Sequence, residues 1–381
     1  MKKSKKIYLD YASSALANSA NPGAIHQLGV KEKNKLENAR KNVAEILGSH
    51  SDEIVFTSCA TESNNLAILG VVKKYLEIFS HIVTTNIEHA SVFEVCKYLE
   101  KTKQAEVTYV PVETNGIVDP RKIKKAIKPN TVLVSVMYAN NEIGTIQPIM
   151  EIAKEIRHYK KQTGEKSVFP IFHTDATQAI NYLPIKVEKL GVDLMSFNGA
   201  KIYGPKEVGV LYVKRKTPIG PIMFGGNQEF GLRPGTENVA GIVSLKDALQ
   251  ITEKIKEKES QRLTKLRNYF VGKLKEVDKK IIFNGDLENR LPNNINITIP
   301  KIPSDLLIIE LSERGIMLSE KSACKSGDGK ASGVIKAINP NGNEKNGSLR
   351  FSLGRQTTKA DIDYTIKALV EILIKLKKWY N

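Results

Sequence analysis

Between about residues 53 and 215, short apolar runs rich in β-branched side chains alternate with amphipathic stretches of helical period. The runs cover 53–57, 81–85, 106–110, 132–137, 169–173, 193–197 and 209–213. Strands joined through helix-length crossovers pair side by side in parallel, so this rhythm predicts an α/β fold with a mostly parallel, helix-covered sheet. Sheets of this kind bind ligands outside the carboxyl ends of their strands. The residues that follow each run are therefore the ones to inspect for chemistry.

Beyond the sheet, a helical pattern over 238–277 leads into a C-terminal part with strands at 295–299 and 348–353 and helices at 303–314 and 359–379. The 381 residues thus predict a large unit and a smaller α+β one, with the change of unit made along a helix rather than through a linker. The Gly/Asn/Lys-rich stretch 325–347 breaks the pattern and predicts a mobile segment.

Composition narrows the class. No apolar run approaches the ~20 residues that span a bilayer, and the opening Met1-Lys-Lys-Ser-Lys-Lys leads into a strand-like Ile7-Tyr-Leu without a signal-peptide core. The expectation is a cytoplasmic protein. The three cysteines, Cys59, Cys96 and Cys324, have neither metal-ligand spacing nor an even disulfide count, which fits a reducing compartment. A net charge of +17 raises the question of a polyanionic partner. The lysines, however, are spread through 251–280 and 359–378 in alternation with Glu and Leu, as on solvated helix faces, and no aromatic residues interleave with them as in base-stacking surfaces. Direct nucleic-acid binding is not expected.

Several strand ends carry reactive side chains. In Ser196-Phe-Asn-Gly-Ala-Lys201-Ile-Tyr-Gly-Pro-Lys206, one lysine is pinned between Gly199 and Gly204-Pro205. Partly desolvated there, it could form a Schiff base with an aldehyde cofactor. Phe56-Thr-Ser-Cys-Ala60-Thr61 reads as a strand, a small-residue turn and a helix start, where the N–H groups of Ala60 and Thr61 suit a phosphate ester. Phe172-His-Thr-Asp175-Ala-Thr-Gln178 delivers a carboxylate that, once buried, needs a donor or cation such as a protonated pyridine nitrogen. His89 opens another helix, where its ring could cover a flat cofactor and move protons, and Asn140 offers an amide after a further strand. Taken singly, each has a plainer reading: a surface lysine, two helix caps, a structural histidine. Together at successive strand ends, they point to one site.

At this point the chain resembles the fold-type I pyridoxal-phosphate enzymes of the class V aminotransferase group, and within it the NifS/IscS-type cysteine desulfurases. The resemblance rests on Thr57-Ser-Cys-Ala-Thr-Glu-Ser-Asn-Asn, Ile87-Glu-His-Ala, Ala139-Asn-Asn-Glu-Ile-Gly-Thr-Ile-Gln-Pro, His173-Thr-Asp-Ala-Thr-Gln-Ala, Ile202-Tyr-Gly-Pro-Lys, Arg233-Pro-Gly-Thr-Glu-Asn, Lys321-Ser-Ala-Cys-Lys-Ser-Gly and Leu349-Arg-Phe-Ser-Leu-Gly-Arg, in family order from about residue 7 to 365. It implies that Lys201 is the Schiff-base lysine, that Asp175 pairs with the pyridine nitrogen of pyridoxal 5'-phosphate, and that His89 stacks on the ring. It further implies that Gln178 bonds the phenolic oxygen, that Asn140 sits beside ring and substrate, and that Thr61 and the Ala60 backbone hold the phosphate. By the same resemblance Thr236 reaches a phosphate in the neighbouring subunit of a homodimer, Arg350 binds the substrate carboxylate, and Cys324 accepts the sulfur of L-cysteine. The implied division is a large cofactor-binding unit over 16–250 and a small unit formed by 1–15 and 251–381, which carries the Cys324 loop.

Cys324 decides the reaction class. Its neighbours are small and polar, and Lys321 and Lys325 would favour a thiolate; Cys59 and Cys96 fit burial in a core better. The expected product is a persulfide, passed to an iron–sulfur scaffold or a tRNA-thiolating enzyme. Alternatives are another class V aminotransferase, a selenocysteine lyase, or a cofactor-bearing adaptor without turnover.

Two departures from the family stand beside the lysine: Asn198 replaces a serine and Ala200 a histidine, both of which donate to the phosphate. Asn198 can still donate through its amide, whereas Ala200 cannot, so weaker cofactor retention is expected. Residues 9–26 also keep the ends of a family segment whose middle helix is missing.

Overall fold

The computed structural model describes residues 8–15, 19–75, 79–162, 169–320, 332–340 and 347–378. The expected strands form β1 (Ile54–Thr57), β2 (Ser80–Thr85), β3 (Ala105–Val110), β4 (Thr131–Ser135), β5 (Ile171–Asp175), β6 (Leu194–Asn198) and β7 (Gly209–Val213). They make one seven-stranded sheet in the order β1-β7-β6-β5-β4-β2-β3. β7 runs antiparallel to both of its neighbours, and the remaining pairs are parallel. The carboxyl ends of β1 to β6 therefore share one edge.

Neighbouring residues of each strand enter opposite cores, as a pleated strand requires. Ile82, Leu133, Ile171, Leu194 and Leu211 face one layer with α2 (Ala60–Lys73) and α3 (Ala90–Lys101). Val83, Val134, Phe172, Met195 and Val210 face the other, packed by α1 (Gln27–Leu47), α4 (Pro120–Ala126), α5 (Ile149–Gln162) and the first half of α7 (Val239–Val277). A short α6 (Val187–Leu190) leads into β6. Local signals set several helix ends: Asp119 caps α4 with Pro120 in its first turn, and α1 stops at Gly48, whose φ of 70° suits glycine.

The long helix α7 also joins the two units. Its Ile242, Leu245 and Leu249 lie in the core under the large sheet, and its Leu263, Phe270 and Leu274 lie in a third core. That third core is built on the antiparallel sheet β10-β9-β8, formed by β8 (Ile282–Phe283), β9 (Asn294–Thr298) and β10 (Leu349–Ser352), with α8 (Ser304–Ser312) and α10 (Lys359–Lys377). Within the stretch expected to be mobile, Gly333–Ile338 forms a helix, α9, capped by Ser332. Its Val334 and Ile338 are buried in the large-sheet core, so apolar side chains override the Gly/Asn/Lys composition there. Residues 321–331 and 341–346 lie outside the described residues.

Among the described residues 8–15 and 19–26 there are turns and no helix. The Asp10–His26 contact at 3.2 Å and the Tyr8 ring against His26 join the two ends of this segment.

Candidate active site

A cavity of about 550 Å³ opens at the shared edge of strand ends, a volume in the range of small-molecule sites. The large sheet contributes Asp175, Thr177, Gln178, Asn198 and Lys201, α2 contributes Ala60 and Thr61, and the small unit contributes Asn293, Arg350, Ser352 and Leu353.

Asp175 is the last residue of β5 and is buried. Asn64 Nδ2 donates to its Oδ2 at 2.7 Å, and the Thr177 N–H donates to its Oδ1 at 2.9 Å. It thus caps its own turn and still faces the cavity. Asn64 also donates to Ser91 Oγ at 2.8 Å, and Ser91 Oγ lies 2.8 Å from His89 Nδ1. One buried amide therefore fastens the aspartate at one strand end to the histidine at another. His89 is the N-cap of α3, with Nδ1 accepting the Ser91 N–H, which places the proton of a neutral ring on Nε2. Two positions before Asp175, burial takes His173 down to about 4 despite the nearby Asp175 charge, so it is a neutral link between Ser135 and Ser196.

The start of α2 has the character of an anion site. Its N-cap is Cys59, which makes no side-chain cap bond, so the amides of the first turn lack the usual internal acceptor. The turn is braced from outside, where Glu62 accepts the Ser58 N–H at 2.6 Å and Arg233 Nε at 2.9 Å. Arg233 is three residues before Thr236, which is exposed and is not part of the cavity lining of its own chain.

Lys201 closes a single 3₁₀ turn, Gly199–Lys201, at the end of β6. Gly199 is required there, since a Cβ would stand 2.6 Å from the Pro205 carbonyl oxygen, and Asn181 donates to the Lys201 carbonyl. The expected desolvation of Lys201 is not found: the residue lines the cavity but is exposed, because the turn lies past the sheet edge.

Asn140 also departs from expectation. Its side chain is buried away from the cavity, where Nδ2 donates to the Ile87 carbonyl at 2.9 Å and Oδ1 accepts the N–H groups of Glu142 and Ile143. The amide is spent on shaping its own turn, and Asn141 lines the cavity in its place. Arg350, on β10, donates through Nη1 to the Asn141 carbonyl at 3.1 Å, while its buried Nε has no partner among the described residues. Burial lowers its pKa, and Glu142 acts against that. Cys96 is buried in the core as expected, but Cys59 is only half-buried at the α2 cap. Cys324, Lys321 and Lys325 lie outside the described residues.

These groups fit a phosphorylated pyridine aldehyde. An uncapped helix start would suit an anion, a buried carboxylate would suit a cationic nitrogen, and an exposed lysine lines the same cavity. The Thr177 hydroxyl and Asn198 Oδ1 are buried at the cavity lining without partners among the described residues, as polar atoms that meet a ligand would be. Ala200 lines the same cavity with only a methyl group. Sequence reasoning missed Asn64, Ser91 and Glu88. Asn64 and Ser91 fall at the starts of α2 and α3, close to residues already singled out, but their pairing depends on the sheet order.

The Aminotransferase class-V family profile matches residues 2–365. The chain is 41% identical to the cysteine desulfurase IscS of Dictyoglomus turgidum, over 98% of this chain and 96% of that one. It is also 41% identical to the cysteine desulfurase IscS of Methanosarcina thermophila, over 94% and 86% of the two chains. Among solved structures, a NifS-like protein superposes with a TM-score of 0.86 at 36% identity, covering 95% of this chain and 93% of that one. SspA in complex with cysteine superposes with a TM-score of 0.74 at 34% identity, covering 88% and 91%.

Proposed function

The chain belongs to the class V aminotransferase family, and from that premise we propose that it is a pyridoxal-phosphate-dependent cysteine desulfurase, converting L-cysteine to L-alanine with transfer of sulfur to Cys324. The observation that carries this reading is one cavity holding Lys201, Asp175, His89, the α2 start and Arg350 together, in a chain alike over nearly its full length to cysteine desulfurases.

When bound, pyridoxal phosphate supplies an aldehyde for an amine and a ring that takes up the electron pair of a breaking bond. Lys201 would hold it covalently, with the Ala60 and Thr61 amides, the Thr61 hydroxyl and Asn198 on its phosphate. Asp175 would keep its nitrogen protonated, Gln178 would bond its phenolic oxygen, and His89 would cover its face. The Arg350 fork binds the cysteine carboxylate, using the Nε that has no internal partner. The Lys201 amine would take the α-proton of the bound substrate. The Cys324 thiolate attacks the substrate sulfur, the Cβ–S bond breaks, and its electron pair with a proton completes the methyl group of alanine. The two thiols are thereby converted to one persulfide and one methyl group, with no external oxidant.

The persulfide would pass to an iron–sulfur scaffold or a tRNA-thiolating enzyme. Thr236, exposed on an arm tied to α2 through Arg233, is read as reaching the neighbouring site of a homodimer. Among the described residues no helix is long and apolar enough to cross a membrane, and we place the enzyme in the cytoplasm.

Incubation with L-cysteine, following alanine and the mass of the Cys324 peptide, tests the reading. The expected result is alanine release with a gain of one sulfur atom on that peptide, both lost in Cys324→Ala. Sulfide release from the variant at the parental rate would show that Cys324 is not the acceptor, and accumulation of the pyridoxamine form would mark a transaminase instead.

A further inference from the structure

The turn that carries Lys201 is gripped by a contact that the proposed chemistry does not use. Tyr203 stands two residues past the lysine at a φ of 61°, a left-handed conformation that a residue with a side chain keeps only where its surroundings over-determine it. Those surroundings are supplied by Arg355. Its guanidinium carbon lies 4.0 Å from the Tyr203 ring centroid, and its backbone N–H donates to the Tyr203 hydroxyl at 2.9 Å.

Arg355 is itself fixed from α7. Its Nη2 donates to Thr252 at 2.9 Å, and Arg262 donates to the carbonyls of Gly354, Arg355 and Thr357. Gly354 admits the tyrosine closely, since a Cβ there would stand 3.0 Å from its hydroxyl. This turn follows directly from β10, the strand that bears Arg350, and its Leu353 lines the cavity with Lys201.

We propose that Tyr203 and Arg355 form a clamp that sets the Lys201 turn against the Arg350 strand, which makes Tyr203 a positioning residue for the reaction. Only the kinetic part of this proposal rests on the desulfurase reading. The lysine comes from the large sheet and the arginine from the small one, yet both must engage one substrate, and small misplacements of reacting groups cost orders of magnitude in rate. A planar guanidinium stacked on a phenol ring fixes both distance and tilt, which an ammonium does not.

The test uses the full-length, cofactor-loaded protein carrying Y203A, Y203F, R355K or Y203A with R355K. Amide hydrogen exchange over 199–204 and 353–357 is measured alongside turnover of L-cysteine, normalised to Lys201-bound cofactor. Y203A is expected to speed exchange in both turns and to lower kcat and raise KM, each by about tenfold. R355K should reproduce this pattern, Y203F should show a smaller effect, and the double variant should be no worse than either single one. The clamp is overturned if exchange rises only in the substituted turn, if KM stays put while kcat falls, or if the losses multiply in the double variant. Should the parent make no alanine from cysteine, the desulfurase reading fails, and the exchange measurements alone decide the clamp.

Discussion

The two walls of the cavity are held in different ways. On the large-sheet side, buried groups bond one another: Asn64 joins Asp175 to Ser91 and through it His89, and Glu88 accepts from Thr85 at 2.6 Å and from the Met137 N–H at 3.0 Å. On the small-unit side, the Arg350 side chain bonds the Asn141 carbonyl through Nη1, and its buried Nε meets no acceptor among the described residues. The first wall is braced by bonds among its own buried groups, although Asn64 Oδ1, Glu88 Oε2, Thr177 Oγ1 and Asn198 Oδ1 have no hydrogen-bond partner among the described residues. The second holds donors in reserve for a ligand that comes and goes.

If that contrast is right, damage to the two walls has different signatures. Arg350→Ala should lower kcat/KM for L-cysteine by about a thousandfold, mostly through KM, because a carboxylate would lose its charge-assisted fork. Cofactor content and unfolding midpoint should hardly move. Arg350→Lys should recover only part of the loss, since an ammonium cannot bind the carboxylate in a bidentate way. A parallel loss of bound cofactor would erase the distinction between the walls.

Asn64→Ala attacks the opposite wall. It would leave the buried Asp175 carboxylate and Ser91 hydroxyl without their shared donor, at a cost of about 3 kcal/mol in unfolding free energy. Denaturant titration of the cofactor-free protein measures it. Cofactor retention should fall with stability, while KM for cysteine in the molecules still loaded should stay near the parental value.

Glu88 sharpens the comparison through pH. Burial, opposed by the Thr85 and Met137 bonds and assisted by Asp175, raises its pKa from 4.5 to about 8. Between those values the unfolded chain has lost this proton and the folded chain retains it, so the group makes stability fall as pH rises. Glu88→Gln keeps the acceptor and removes the titration. The variant should match the parent near pH 4.5 and exceed it by about 4 kcal/mol at pH 8; equal stability at both ends would mean that the carboxyl does not carry the proton.

The contrast between walls also explains what was legible in the sequence. Strand ends are local, so Lys201, Asp175, His89 and the Ala60–Thr61 turn could be located from apolar runs and small-residue turns, and α7 from its long helical period. The bracing network was not legible. Asn64 and Ser91 look like ordinary residues of α2 and α3 until the order β4-β2 and β5-β4 brings their helices together. The setting of Asn140 was not legible either, because its amide bonds backbone groups of its own turn and Ile87, contacts that no spacing rule announces. Helix α1 was missed, since its buried stripe of Leu36, Ala39, Val43 and Leu47 is thin within a strongly charged run. The assignment of Cys324 rests on resemblance, outside the described residues.

The smallest expected effect concerns a further gap in the large-sheet wall. Ala200 lines the cavity beside Lys201 with a methyl group, where the resemblance implies a donor to phosphate. Ala200→His would add an N–H, and a hydrogen bond to a charged group contributes about 1.5–3 kcal/mol. Because Ala200 is exposed, the lower end applies, equivalent to about tenfold slower loss of cofactor on dialysis. The gain should appear in retention and leave KM for cysteine unchanged, since the added group touches the resident ligand's wall and not the substrate's. If retention does not improve, Asn198 or the α2 amides already satisfy the phosphate, and the large-sheet wall is more complete than its missing donor suggests.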